Sequence, residues 1–334
     1  MPGRRSLLAA GATLLASPLS APALAQPIAG GRPLRLIVPF PPGGAVDILG
    51  RLIAERLGAV LGQTVVVENR GGAGGNIGAD ALAKSAADGS TIGLISATTL
   101  CAAPFLYKSM AFDPQRDLAP ISNISTGPVL CVVNAETAAK RGWTDFATLI
   151  AWSKAHPDTV TMGSSGTGTT SHLTISAVNQ ATGARITHVP YRGGGPAISD
   201  LVAGTIDMMF DVMPALMPHV EAGRFKALAV SSAERLPFLP DVPGMRDLAP
   251  LGLGDVDIQS WNAVMAAGGT PAPILRQLNE AVRKIAEDPA FVERLRPLGY
   301  RVLTTPTPEA LAERIRAETP RWKQLVEISG AKLD

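Results

Sequence analysis

Residues 36–62 read LIVPFPPGGAVDILGRLIAERLGAVLG, and the fold class follows from this stretch. Leu36-Ile37-Val38 is a run the length of a short buried strand. Pro39-Phe40-Pro41-Pro42-Gly43-Gly44 can continue neither a strand nor a helix, because proline removes a backbone donor and glycine frees the backbone. After Asp47, apolar residues recur at Ile48, Leu49, Leu52, Ile53, Leu57, Val60 and Leu61, the spacing of one helix face, and Gly62 closes the run. The chain therefore goes strand, rigid loop, helix. The two glycines let N–H groups turn into the space before the helix N-terminus, where unpaired donors and the helix dipole favour an anion. An ordinary strand-to-helix turn would have the same shape.

The same pattern recurs along the chain. A strand at 65–67 leads through Gly71-Gly72-Ala73-Gly74-Gly75 into a helix over 76–86. That glycine run lacks the Lys-Ser/Thr of a P-loop and does not fit G-x-G-x-x-G, so it reads as a tight turn. A strand at 91–95 ends at Ser96-Ala97-Thr98-Thr99, whose hydroxyls cap a short helix or face the first loop from the same edge of a parallel sheet. Residues 113–120 read as a polar surface loop and 129–133 as a strand, near which the first crossing between lobes is placed. A helix over 145–154 and a strand at 160–162 lead to Gly163-Ser164-Ser165-Gly166-Thr167-Gly168-Thr169-Thr170 and a helix carrying His172. This second strand–loop–helix bend offers hydroxyls and N–H groups for a carboxylate or phosphate, or merely a capped helix with solvated serines. Strands at 186–189, 206–210 and 225–230 follow. Asp211 stands at a strand end, where it meets a ligand donor or caps the next helix. Residues 235–243 form a proline-rich connection and the second crossing. A strand-like run at 258–266 precedes helices over 271–287, 289–298 and 308–328, the last to be kinked at Pro320.

Strands alternate with helices throughout, so the class is α/β with mostly parallel sheets flanked by helices. The last helices have no strands of their own and fold back on the first domain, giving two crossings and a cleft. Domain 1 is 33–128 plus 252–334, and domain 2 is 129–251.

The first residues stand apart. Arg4 and Arg5, the apolar segment 7–15 and Ala23-Leu24-Ala25 read as a signal peptide over 1–25, exported by the Sec or the twin-arginine route. Its removal takes two arginines and no acid, and the formal charge falls from +2 to zero. With no basic tract and 4% aromatic residues, nucleic acid is excluded as a partner. The two cysteines, Cys101 and Cys131, could pair in an exported protein, although two unpaired, partly buried thiols are preferred. His156, His172, His188 and His219 show no metal-ligand spacing, and neither metal nor cofactor is expected.

The blocks as a set resemble the Bug, or TctC-like, family of substrate-binding proteins of tripartite tricarboxylate transporters. The resemblance runs through Val38–Asp47, Val67-Glu68-Asn69-Arg70 with its glycines, Gly163-Ser164-Ser165-Gly166 with Thr170-Ser171-His172-Leu173, and His188-Val189-Pro190-Tyr191-Arg192-Gly193-Gly194-Gly195-Pro196-Ala197. It continues through Phe210-Asp211, Leu239-Pro240-Asp241-Val242-Pro243, Ser260-Trp261 and Gly269-Thr270-Pro271. It implies a two-lobed periplasmic binding protein of the type II kind, a monomer with a small carboxylate in the cleft and transporter membrane subunits as partners. Carried over residue by residue, it points to Phe40, Pro42, Gly43, Gly44 and Asp47 on lobe one. On lobe two it points to Ser164, Ser165, Gly166, Thr167, Thr169 and His172, with Asp211 at the rim. Thr98 and Thr99 stand where relatives carry a Thr-His pair block, but Leu100 replaces the histidine. That implies a less hydrophilic distal ligand moiety, unless Leu100 faces the core.

Two other readings draw on the same residues. A ligand-sensing partner of a membrane receptor needs the same cleft. An exported serine hydrolase would use Ser164 or Ser165, His172 or His188, and Asp211, but no G-x-S-x-G elbow exists.

Overall fold

The computed structural model describes residues 27–296 and 299–334. The expected signal peptide lies outside the described residues. In chain order the elements are β1 (Leu34–Val38), α1 (Ala45–Leu61), β2 (Val65–Asn69), α2 (Asn76–Ala83), β3 (Thr91–Ser96), α3 (Ala103–Leu106) and β4 (Leu118–Asn134). Then come α4 (Ala135–Arg141), α5 (Phe146–Ala155), β5 (Val160–Ser164), α6 (Thr170–Thr182), β6 (Ile186–Pro190), α7 (Gly194–Ala203), β7 (Met208–Val212), α8 (Met217–Glu221) and β8 (Phe225–Val230). The chain ends with β9 (Gln259–Ala267), α9 (Ala272–Ala286), α10 (Pro289–Leu295), β10 (Arg301–Val302) and α11 (Pro308–Ser329).

β1 and α1 form as the sequence dictates. Gly44 is extended at the helix start, and Gly62 ends it in the left-handed conformation with φ +64°, its N–H bonded to Gly58 O. The buried stripe of α1, Leu49, Leu52, Ile53 and Leu57, packs on Leu34, Leu36 and Val38 of β1 and on Leu278, Val282 and Ile285 of α9. Each such side chain contributes roughly 1.5–3 kcal/mol by burial. On the opposite face, Ile37, Leu82, Ile95 and Trp261 pack under Leu311, Ile315, Trp322 and Leu325 of α11. The C-terminal helices thus do cover the first half of the molecule.

The strand order is β2-β1-β3-β9-β4-β7-β5-β6, with β8 and β10 also paired to β4. Strands joined through helices pair parallel: β1 with β2 and β3, and β5 with β6 and β7. β4, β9 and β10 make antiparallel pairs. The sheets are therefore mixed, and the expectation of mostly parallel sheets holds only for the helix-connected strands. The reason is β4. Its first part pairs with β9 and its second part, from Val129, with β7 and β8, so one strand belongs to both halves.

The surface loop expected at 113–120 is shorter than read, because Leu118, Ala119 and Pro120 already belong to β4. Register shifts beyond Pro120 and Asn123 let the strand absorb the proline. The second crossing also differs. Leu236, Phe238, Leu239 and Val242 stay packed with Phe225 and Val230 in the second half. The chain returns at Val256 and Ile258, beside β4. There Ser231 N–H donates to Val129 O and Ile258 N–H to Ser231 O, both at 2.9 Å. Val129 N–H donates to Ser231 Oγ, which donates to Ile258 O.

Cys101 and Cys131 are unpaired, as preferred from sequence, but they are fully buried where partial burial was expected. Leu100 is buried in the core under α11, so it does not face the cleft.

Candidate functional site

A cavity of about 90 Å³ lies between the two halves. Three helices point their N-termini at it. α1 contributes Gly44, Ala45 and Val46 to the wall, α6 contributes Thr169, Thr170 and Ser171, and α7 contributes Gly193, Gly194, Gly195 and Pro196. None of the three has a side-chain cap. At α6 the residue placed to cap, Thr169, instead donates its hydroxyl to Gly166 O at 2.7 Å. No capping side chain takes the first N–H groups of these helices, and such N–H groups favour an anion. No Lys, Arg or His is among the lining residues.

Asp47 explains how the first loop keeps its shape. Its carboxylate accepts from Gly43 N–H and Arg51 Nε, both at 3.0 Å, and from Asn69 Nδ2 at 2.8 Å. Asn69 Nδ2 also donates to Phe40 O. Burial works to raise the Asp47 pKa, but the Arg51, Gly43 and Asn69 hydrogen bonds outweigh it and hold the group below the usual carboxylate range. Gly43, at φ +83°, adopts a conformation that side chains other than glycine rarely take. The loop thus presents Phe40, Pro42 and Gly44 to the cavity while Asp47 and Gly43 brace it from behind.

The second bend is braced by histidines. Ser164 Oγ meets His188 Nε2 at 2.6 Å, and Gly168 N–H donates to His172 Nδ1 at 3.1 Å. The two imidazoles stack with centroids 4.0 Å apart. Burial lowers His172 to about 4, and burial with His172 beside it lowers His188 to about 3. Ser165, Thr169 and Asp211 do reach the cavity. Asp211 accepts from Ser165 Oγ and, at 2.7 Å, from Val212 N–H. Burial raises its pKa, against the pull of Ser165, Val212 and Ser171.

Of the residues singled out in the sequence, Phe40, Pro42, Gly44, Thr98, Ser165, Thr169 and Asp211 come together around this cavity. Gly166 and Thr167 line an adjoining opening of about 240 Å³, which shares Phe40, Pro41, Ser165 and Gly193 with the cavity. Gly43, Asp47, Thr99, Ser164 and His172 do not line the cavity; Thr99 bonds Ser96 Oγ instead, at 3.1 Å. Sequence reasoning missed Asn262 and Tyr300, which carry no local signal. It also missed the helix start at Gly193, whose glycine triplet was visible but had no evident target.

The same geometry bears on the hydrolase reading. Ser164 is fully buried, and the acid of the set, Asp211, bonds Ser165 rather than either histidine. Among the described residues no group of three or more His, Cys, Asp or Glu could hold a metal ion. No described helix is long and apolar enough to cross a membrane.

A mixed α/β sheet curled around an interlobe cavity defines a periplasmic binding protein fold. Solved structures share it. R. palustris Rpa4515 with adipate superposes with a TM-score of 0.84 at 34% identity, covering 90% of this chain and 99% of that one. The periplasmic binding protein BugD gives 0.83 at 33%, covering 90% and 98%. In sequence, Protein BugT of Bordetella pertussis is 38% identical over 303 residues, 90% of each chain. The family model for the tripartite tricarboxylate transporter family receptor, TctC, matches residues 49–331. The chain belongs to that family of solute receptors.

Proposed function

We propose that this chain is an exported receptor that takes a small carboxylate between two lobes, 33–128 with 252–334 and 129–251, and delivers it to tripartite transporter membrane subunits. The observation that carries this reading is the convergence of three uncapped helix N-termini on a cavity without a cationic side chain. Each such terminus favours an anion by about 0.3–1 kcal/mol, and more when partly buried. Charge-assisted hydrogen bonds add roughly 1.5–3 kcal/mol each. A few of them suffice for a micromolar dissociation constant, about −8 kcal/mol. Main-chain donors at Gly44, Thr170, Ser171 and Gly194 grip the carboxylate, and Phe40 forms an apolar wall. Donors from both lobes are complete only when the lobes close, so the ligand drives closure.

The adipate bound by Rpa4515 supports the ligand class and gives a first compound to try. The receptor is a monomer without catalytic activity, located in the periplasm. Support for the absence of catalysis comes from the buried Ser164 and from Asp211, which bonds Ser165. A thermal-shift screen against mono-, di- and tricarboxylates tests the reading. A ligand at a hundred times its dissociation constant stabilises the protein by about 2.7 kcal/mol. Silence across the whole acid panel, or steady turnover of any bound compound, would refute it.

A further inference from the structure

Two polar atoms of the cavity-lining residues have no hydrogen-bond partner among the described residues. They are the Tyr300 hydroxyl and Asn262 Oδ1, on residues that are 4% and 1% exposed. Leaving a buried polar atom unpaired costs about 1–3 kcal/mol, and folded proteins leave few of them. Asn262 Nδ2 already donates to Ser125 Oγ at 3.3 Å, which leaves its carbonyl oxygen unused. Asp211 lines the same cavity, and its charge, after burial, helps push the Tyr300 phenol ionisation upward. A carboxylate offers about four lone-pair positions, and Ser165, Val212 and Ser171 occupy three of those on Asp211.

The free capacity is therefore mainly accepting: an amide oxygen, a carboxyl lone pair and a phenol that can act either way. We infer that Tyr300, Asn262 and Asp211 form a second polar subsite. It receives a hydrogen-bond donor, a hydroxyl or an ammonium, on the same guest whose carboxylate meets the helix N-termini. This rests on the carboxylate reading above. A second carboxylate at the subsite would set lone pairs against the Asn262 oxygen and the Asp211 carboxyl, with no cationic side chain on the wall to offset them. A plain hydrocarbon there would leave the buried atoms unpaired. The ligand class is accordingly a hydroxy or amino acid rather than a plain acid or a diacid.

Isothermal titration calorimetry on the purified protein tests this with four-, five- and six-carbon acids. Each length is offered as the plain acid, its hydroxy and amino derivatives, and the diacid, adipate included. At one or more lengths the hydroxy or amino acid is expected to bind at least about tenfold more tightly than both the plain acid and the diacid, which is about 1.4 kcal/mol. In Tyr300→Phe, and separately in Asn262→Ala, that preference is expected to shrink to about threefold or less. A merely structural role for either residue would weaken all the acids alike and leave the ratio untouched. Diacids or plain acids binding tightest at every length would overturn the subsite while leaving the carboxylate reading intact. So would a ratio unchanged in both variants. Binding of none of the acids would overturn both.

Discussion

His172 and His188 sit behind the second bend as a stacked, neutral pair. The Gly168 N–H donated to His172 Nδ1 places that ring's proton on Nε2. Both rings have folded pKa values well below 6.5, about 4 and about 3. The unfolded chain therefore takes up their protons first as pH falls. The stability they contribute is complete above about pH 6.5 and is lost as pH drops toward their folded values, at about 1.4 kcal/mol per unit of depression. Thermal melts should show a melting temperature that falls between pH 6.5 and 4.5, and His188→Gln should flatten that slope. Asp211 has the opposite sign. Its folded pKa is raised, so the stability tied to its protonated form is present below the unfolded value near 3.8 and lost as pH rises through the folded one. Asp211→Asn should therefore not lower the melting temperature at pH 7, and a calorimetric scan showing a fall of several degrees would contradict the buried-charge account. The cysteines give a simpler check. Burial pushes the Cys101 thiol up to about 12 and raises Cys131 as well. A thiol reagent should label neither in the native protein and both in denaturant.

At the next scale the proposed grip rests on the helix starts, and α7 is the sharpest test. Gly193 has φ +109°, and a Cβ there would lie 3.2 Å from Pro41 Cδ across the cleft. A proline ring has little room to give, so Gly193→Ala should both strain the backbone and hold the first loop off α7. Carboxylate affinity should fall by about tenfold or more, roughly the loss of one charge-assisted hydrogen bond, while the far-ultraviolet circular dichroism stays native. α1 was legible almost end to end because its start and stop are local: prolines and glycines before it, Gly62 after it. β4 was not. Only 129–133 of it reads as a strand, and the buried Ser122, Asn123, Ser125 and Thr126 bond residues far along the chain. Thr305 N–H donates to Ser122 Oγ, and Thr126 Oγ1 donates to Ser260 O. The same limit hid Tyr300 and Asn262, single residues brought to the cavity only by the long-range strand order. His172 misled for the complementary reason. It stands in a loop-to-helix motif that does build the site, but its ring turns to the bend itself.

At the scale of the whole molecule, β4 and α11 prevent the halves from being independent. β4 pairs with strands of both, and α11 packs against α6 of the second half as well as over β3 and β9 of the first. A single cooperative unfolding transition is expected, with calorimetric and van't Hoff enthalpies equal. Two resolved transitions would show that the shared strand does not couple the lobes. Ser231, fully buried between the outgoing and returning crossings, should matter to both halves at once. Ser231→Ala should cost about 1–3 kcal/mol by leaving the Val129 N–H unpaired, seen as a shift of that one transition. The uncapped helix starts also bear on how such receptors diversify. An anion held by peptide groups depends on backbone course rather than on the identity of any one side chain. Replacements around the wall can then retune which molecule is accepted without surrendering the grip on its acid group. New cargoes become reachable through drift in a handful of positions, and the shared scaffold is spared.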